Sequence, residues 1–172
     1  MIAYVALLRA VNVGGTGKLP MTDLKRLCEG AGLLRVRTYI ASGNVVFASE
    51  ESEAEVKARL EAALEDYAGK PVGVLVRTAA EMAEVVAGNP FPDALPSRTV
   101  AIFLDEPPPP DTIERSTGMG ADEEIRLGAR EVYVHYGEGM GRSRLKIPAA
   151  AAGTARNMNT ASRLAEMAAE LA

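Results

Sequence analysis

The sequence has one cysteine, one histidine and no tryptophan, and aromatic residues make up only 5% of its 172 positions. A lone Cys28 excludes an intrachain disulfide framework and a cysteine-based zinc site, and it fits a reducing, cytoplasmic compartment. The single histidine, His135, stands in the alternating stretch Val132-Tyr133-Val134-His135-Tyr136, on the face of Tyr133 and opposite Val132 and Val134. It reads as a surface strand residue, and no Asp-His-Ser constellation can be assembled around it. The few aromatics show no pattern like that of RNA-recognition sheets, which stack bases on exposed rings. No stretch reaches the about 18 consecutive apolar residues of a membrane-spanning helix, and MIAYVALLRA lacks the basic start of a signal peptide. A membrane partner is therefore not expected. Asp122-Glu123-Glu124 reads as a solvated turn, with no recognisable metal-ligand spacing.

What is present is an ordinary globular composition, 48% apolar and 24% charged, with a net charge of −4. That balance argues against a surface that coats nucleic acid as a whole. The distribution is uneven. Residues 1–49 carry six basic side chains (Arg9, Lys18, Lys25, Arg26, Arg35, Arg37) against Asp23 and Glu29. Residues 137–163 carry five (Arg142, Arg144, Lys146, Arg156, Arg163) against Glu138. Two cationic segments in an acidic chain point to a local anion site if they meet in space, and to solvated surface charge if they do not.

The stretch Val11-Asn12-Val13-Gly14-Gly15-Thr16-Gly17-Lys18-Leu19-Pro20 follows an apolar run and precedes a helical pattern, where phosphate loops lie. It fails as a Walker loop, because the first glycine of that motif falls on Asn12 and its magnesium-binding hydroxyl on Leu19. It fails as a dinucleotide fingerprint, because Pro20 stands where the third glycine belongs. With neither motif complete, no cofactor is expected. Glycines ahead of a helix can still converge backbone N–H groups on an anion, with Arg9 and Lys18 beside them. A tight strand-to-helix connection is the competing reading.

Ile2–Leu8 reads as a buried strand. Met21, Leu24, Leu27, Cys28 and Ala31 recur at helical spacing, stopped by Gly30 and Gly32. Leu34, Val36, Thr38 and Ile40 alternate with Arg35, Arg37 and Tyr39, and after the turn 41–44 the strand Val45-Val46-Phe47 completes a hairpin. Ser52 with Glu55 forms a capping box for a helix striped by Val56, Leu60, Ala63, Leu64 and Tyr67 and closed by Gly69. Val72, Val74 and Val76 alternate in a fourth strand. This order predicts an α+β fold with a ferredoxin-like βαββαβ unit over residues 1–77.

Residues 78–172 predict a second, smaller α+β unit. Its expected parts are a helix over Ala79 to Val86, a strand over Val100 to Leu104, a stiff Pro107–Pro110 connector and a short helix at 111–116. A hairpin over 125–136, a glycine loop at 137–141 and a final helix over Thr160 to Leu171 complete it. Before that helix, Asn157, Asn159 or Thr160 could cap it. Arg156 there would hold an anion, or, buried, tie the two halves together through backbone carbonyls. Ser42 and Asn44 suit their turn without any ligand.

The motifs Leu7-Leu8-Arg9-Ala10-Val11-Asn12-Val13-Gly14-Gly15, Thr38-Tyr39-Ile40-Ala41-Ser42-Gly43-Asn44-Val45-Val46-Phe47 and Thr154-Ala155-Arg156-Asn157-Met158-Asn159-Thr160 resemble those of the bacterial domain of unknown function 1697 family. That family's pattern has glycine at position 10, isoleucine at 11, glutamine at 41 and tryptophan at 158. The resemblance implies a two-part α+β fold with no assigned activity.

The reading favoured is a module binding a phosphorylated small molecule or nucleotide in a cleft between the halves. Arg9, Asn12, Gly14, Gly15, Lys18, Ser42 and Asn44 would form one wall and Arg142, Ser143, Lys146, Arg156 and Asn157 the other. Nucleic acid is a weaker partner. An enzyme would need a base or nucleophile that is not evident. The alternative is a structural or interaction module, such as a homodimer, without a small-molecule ligand.

Overall fold

A computed structural model describes residues 1–12 and 18–172. The chain divides into two compact units, residues 1–83 with 163–172, and residues 84–162.

In the first unit β1 (Ile2–Leu8), α1 (Met21–Gly30), β2 (Leu34–Thr38), β3 (Asn44–Ser49), α2 (Glu53–Ala68) and β4 (Val74–Thr78) follow in order. The antiparallel sheet runs β2-β3-β1-β4, so the expected ferredoxin-like plan is the observed one. The apolar run of β1 places it centrally, with Leu7 opposite Asn44 of β3 and Leu8 opposite Val74 of β4. One face of the sheet (Tyr4, Ala6, Leu8, Val45, Phe47, Val74, Val76) packs with Leu24 and Cys28 of α1 and Val56, Leu60 and Leu64 of α2. Burial pushes the Cys28 thiol up to about 12. The other face is buried too, through Val5, Leu7, Val46, Leu75 and the side chain of Arg77. Residues 163–172 belong to this unit, and Glu170 Oε2 accepts from Arg37 Nη1 at 2.7 Å.

Helix α2 starts as its sequence predicts. Ser52 Oγ accepts from Glu55 N, and Gly69 ends the helix in the left-handed conformation, φ 73°. The alternation expected over 34–40 is broken. Arg35 has φ 53°, and the pairing register shifts between Leu34 and Arg37, so Leu34 is 47% exposed while Val36 is buried. Such a bulge on an edge strand also discourages pairing with another chain.

The second unit holds β5 (Thr99–Phe103), α4 (Thr112–Arg115), β6 (Glu124–Leu127), β7 (Glu131–His135) and β8 (Thr154–Asn157). Helix α3 (Ala79–Ala87) leads into it and α5 (Met158–Leu171) leads out, each divided between the units. The sheet order is β6-β7-β5-β8, the order of the first sheet with β5 in the place of β1. A single turn, α4, stands where α1 would be, and 3-10 turns at Gly137–Arg142 and Pro148–Ala150 stand where α2 would be. The glycine loop expected at 137–141 is therefore part of a 3-10 turn.

The two outer strands end alike. Arg77 on β4 is followed by Thr78, whose Oγ1 accepts from Glu81 N at 3.1 Å while Thr78 N donates to Glu81 Oε1 at 2.9 Å. That is a capping box at the start of α3. Arg156 on β8 is followed by Asn157, whose Oδ1 accepts from Thr160 N at 2.9 Å to cap α5. Both arginines are buried.

Candidate functional site

The antiparallel register brings three connections to one end of the first sheet: the segment after β1, the β2–β3 turn and the α2–β4 connection. A pocket of about 760 Å³ opens there, lined by the end of β1 and the chain beyond it (Arg9, Ala10, Val11, Lys18, Leu19), the last turns of α2 (Leu64, Tyr67, Ala68) and the approach to β4 (Lys70 to Gly73).

Each wall is held by specific bonds. Arg9 N donates to Gly73 O at 2.9 Å, which joins the end of β1 to the start of β4. The aliphatic stem of Arg9 lies across Gly73, where an added Cβ would stand 3.0 Å from Arg9 Cδ. On α2, Lys57 Nζ donates to Val74 O and Glu61 Oε2 accepts from Val74 N, so the helix grips the first residue of β4 by both backbone groups. Tyr67 closes the rim, its hydroxyl donating to Asp23 Oδ2 on α1 at 2.7 Å. That bond raises the Tyr67 phenol above its ordinary range.

Asn12 ties down the base of the loop. Its Nδ2 donates to Leu19 O and Ala41 O, both at 2.8 Å, and its Oδ1 accepts from Leu19 N at 2.6 Å. Both Asn12 (φ 55°) and Ala10 (φ 52°) are left-handed. Asparagine tolerates that region, whereas alanine is strained there by roughly 1–2 kcal/mol. Position 10 is where the resemblance noted above has glycine, the residue this backbone favours.

The charged side chains among the described lining residues are all of one sign. Arg9, Lys18 and Lys70 are cations, and no carboxylate is among the described lining residues. A neighbouring groove of about 610 Å³ shares Tyr67 but differs in this respect. Its Arg26 is 3.9 Å from Asp23, its Arg59 Nε donates to Glu51 Oε2 at 2.7 Å, and Asp66 also lines it.

Of the residues expected to form an anion site, Arg9 and Lys18 thus line one pocket. Gly14 and Gly15 lie outside the described residues. Asn44 is buried, with Nδ2 donating to Tyr39 O at 2.8 Å and to Ser42 Oγ at 2.9 Å, so both turn residues are engaged within their turn. Lys70 and Tyr67 were not readable as site residues from local sequence. The signal for Lys70 was topological, since the α2–β4 connection of a βαββαβ unit must return beside the end of β1.

The second unit holds the remaining candidates. Arg142 and Lys146 are exposed, and the Lys146 backbone pairs with Thr117. Ser143 Oγ donates to Glu123 Oε2 at 2.5 Å and accepts from Leu145 N. Glu123 Oε1 accepts from Gly120 N at 2.6 Å, so this carboxylate is a buried strap and not part of the solvated turn expected at 122–124. Arg156 Nη1 donates to Thr154 Oγ1 at 2.7 Å and Ala155 O at 2.9 Å, and burial lowers its guanidinium to about 10. His135 is also less exposed than expected. Its ring lies 5.8 Å from that of Phe91, and its Nδ1 is buried with no hydrogen-bond partner among the described residues. No group of three or more His, Cys, Asp or Glu that could hold a metal ion occurs among the described residues. Among them, too, no helix is long and apolar enough to cross a membrane.

The whole-chain fold is similar to that of conserved bacterial protein SP0830 from Streptococcus pneumoniae, with a TM-score of 0.79, 23% identity, and coverage of 98% of this chain and 99% of that one. Among curated proteins none matches. The family model described as "Protein of unknown function (DUF1697)" matches residues 1–133, a span that includes the described residues lining the pocket. The chain belongs to the DUF1697 family.

Proposed function

We propose that the protein binds a small phosphorylated molecule in the pocket at the end of the first sheet. The observation that carries this reading is the lining itself: Arg9, Lys18 and Lys70 around one cavity, no carboxylate among its described lining residues, in a chain of net charge −4. An anion entering this pocket meets three side chains of opposite charge that folding has gathered. At contact, each cation–phosphate pair contributes roughly 1–4 kcal/mol between the limits of water and a protein surface. After ordering of the side chains, that suits dissociation constants from about micromolar to millimolar.

A discrete ligand is favoured over a nucleic-acid strand. A strand needs cations along a track, with stacking platforms between them. Here the cations of the groove beyond Tyr67 lie beside Asp23, Glu51 and Asp66, so the described surface offers no continuous cationic track leading away from the pocket. Catalysis is not part of the proposal.

The test is a thermal-shift series with inorganic phosphate against chloride at matched ionic strength. A ligand that binds only the folded protein raises the melting temperature with concentration. Phosphate should do so and chloride should not, and Arg9→Gln with Lys70→Gln should abolish the difference. Equal responses to the two salts would refute the proposal.

A further inference from the structure

We infer that the second unit carries a docking strip for an extended, acidic segment of another protein, formed by Arg142, Arg144 and Lys146. The strip is independent of the anion pocket, since all three residues belong to the other unit. Arg142 ends a 3-10 turn, and residues 143–147 run on without helix to the next one. Exposure alternates along this stretch: Arg142, Arg144 and Lys146 face water, while Ser143, Leu145 and Ile147 are half-buried. Leu145 and Ile147 pack on the core of this unit, and Ser143 Oγ donates to the buried Glu123. Lys146 N donates to Thr117 O at 2.8 Å and its carbonyl accepts from Thr117 N at 3.0 Å, so the backbone is pinned as well. A fixed inner side therefore sets the spacing of the outer one.

Charge is the second part of the argument. Other exposed arginines of this unit sit against carboxylates, Arg115 on Asp111 at 2.7 Å and Arg126 on Glu124 at 3.0 Å. Arg142, Arg144 and Lys146 make no ion pair among the described residues. An extended peptide repeats its side chains on one face every two residues, about 6.6 Å, which is the repeat of Arg144 and Lys146. Alternate carboxylates on such a peptide meet successive cations, and a guanidinium takes a carboxylate with two parallel N–H bonds. A nucleic-acid strand is the poorer fit. It needs rings between the cations to stack its bases, and residues 137–147 include no aromatic side chain.

The test is an NMR titration of the isotope-labelled full chain, at low salt, with an octapeptide that alternates glutamate and threonine. The expected result is saturable shifts centred on residues 142–147. Arg144→Gln or Lys146→Gln should each weaken binding about two- to fivefold, and both together with Arg142→Gln should abolish it. The melting temperature should stay unchanged in these variants, because the three side chains make no described ion pair within the fold. A peptide of the same composition with its glutamates and threonines in separate blocks should bind more weakly, since only alternation matches the repeat. Equal binding of the two peptides would overturn the extended register and the proposal with it. Shifts confined to other residues, or no binding at low salt, would overturn it too. A thymidine oligonucleotide of matched charge that bound residues 142–147 more tightly than the peptide would give the strip to nucleic acid and overturn the assignment. Lys25→Gln, in the first unit, should leave binding unchanged; an equal loss there would reduce the effect to overall charge.

Discussion

Replacing Gly43 with alanine should damage the first unit at the end where the pocket lies. Gly43 has φ 88°, a conformation that penalises alanine by roughly 1–2 kcal/mol. Space is the second obstacle. An added Cβ would stand 2.6 Å from Val11 Cγ2 and 2.9 Å from Leu8 Cβ. Both neighbours are buried in the helix-covered core, and Leu8 N donates to Gly43 O at 2.9 Å, so neither side can withdraw freely. Overpacking of this kind typically adds about 1–3 kcal/mol. The sum, about 2–5 kcal/mol, is a large share of the usual stability of a domain. Urea unfolding followed by circular dichroism would read it as a lower midpoint at unchanged slope. Gly30→Ala is the matched control, since Gly30 lies in α1 with no heavy atom within 4 Å of the added carbon. It should be neutral or stabilising by up to about 1 kcal/mol. If Gly43→Ala fell within about 1 kcal/mol of the wild type, the close approach of this turn to β1 would be refuted.

Three other substitutions and one labelling experiment check separate parts of the structure. Ala10→Gly should raise the urea midpoint, by about 0.5–1 kcal/mol after glycine's greater unfolded-state entropy is deducted; a loss of stability would contradict the left-handed backbone at position 10. Thr78→Ala and Asn157→Ala should each destabilise by about 1 kcal/mol, because each removes the side-chain acceptor at a helix start; a null effect at either would deny it the capping role. Cys28, raised to about 12, is roughly one part in ten thousand thiolate at pH 8 and should resist a thiol reagent until the chain unfolds, its labelling rate climbing only toward pH 12. Rapid labelling of the native protein at pH 8 would show that the thiol is neither buried nor raised.

The elements that periodicity describes well were those legible in the sequence. Strand β1, the stripe of α2 with Ser52 and Gly69 at its ends, and the β6–β7 hairpin each bury a regular face. The exceptions have local causes. Residues 154–157 show no strand pattern ahead of the expected final helix, yet they form β8, because an outer strand of Thr-Ala-Arg-Asn is held by backbone pairing to β5 and carries no apolar alternation. Arg77 stands among valines and leucine on β4 and is nonetheless buried, on the face opposite α1 and α2. Glu123 is adjacent in sequence to the exposed Glu124 but finds Ser143 and Gly120, twenty and three residues away. The pocket is the same kind of case. Arg9 and Lys18 were readable from their loop, whereas Lys70 joins them only through the antiparallel return of β4.

The most direct test of the anion pocket is a calorimetric phosphate titration of the wild type and Lys70→Gln, at low and moderate salt. Lys70 is far in sequence from the glycine loop and belongs to the site only through the fold. Binding by the wild type that weakens several-fold in Lys70→Gln, with the melting temperature unchanged, is the result predicted here. Phosphate binding equal in the two proteins, or absent from both, would contradict it.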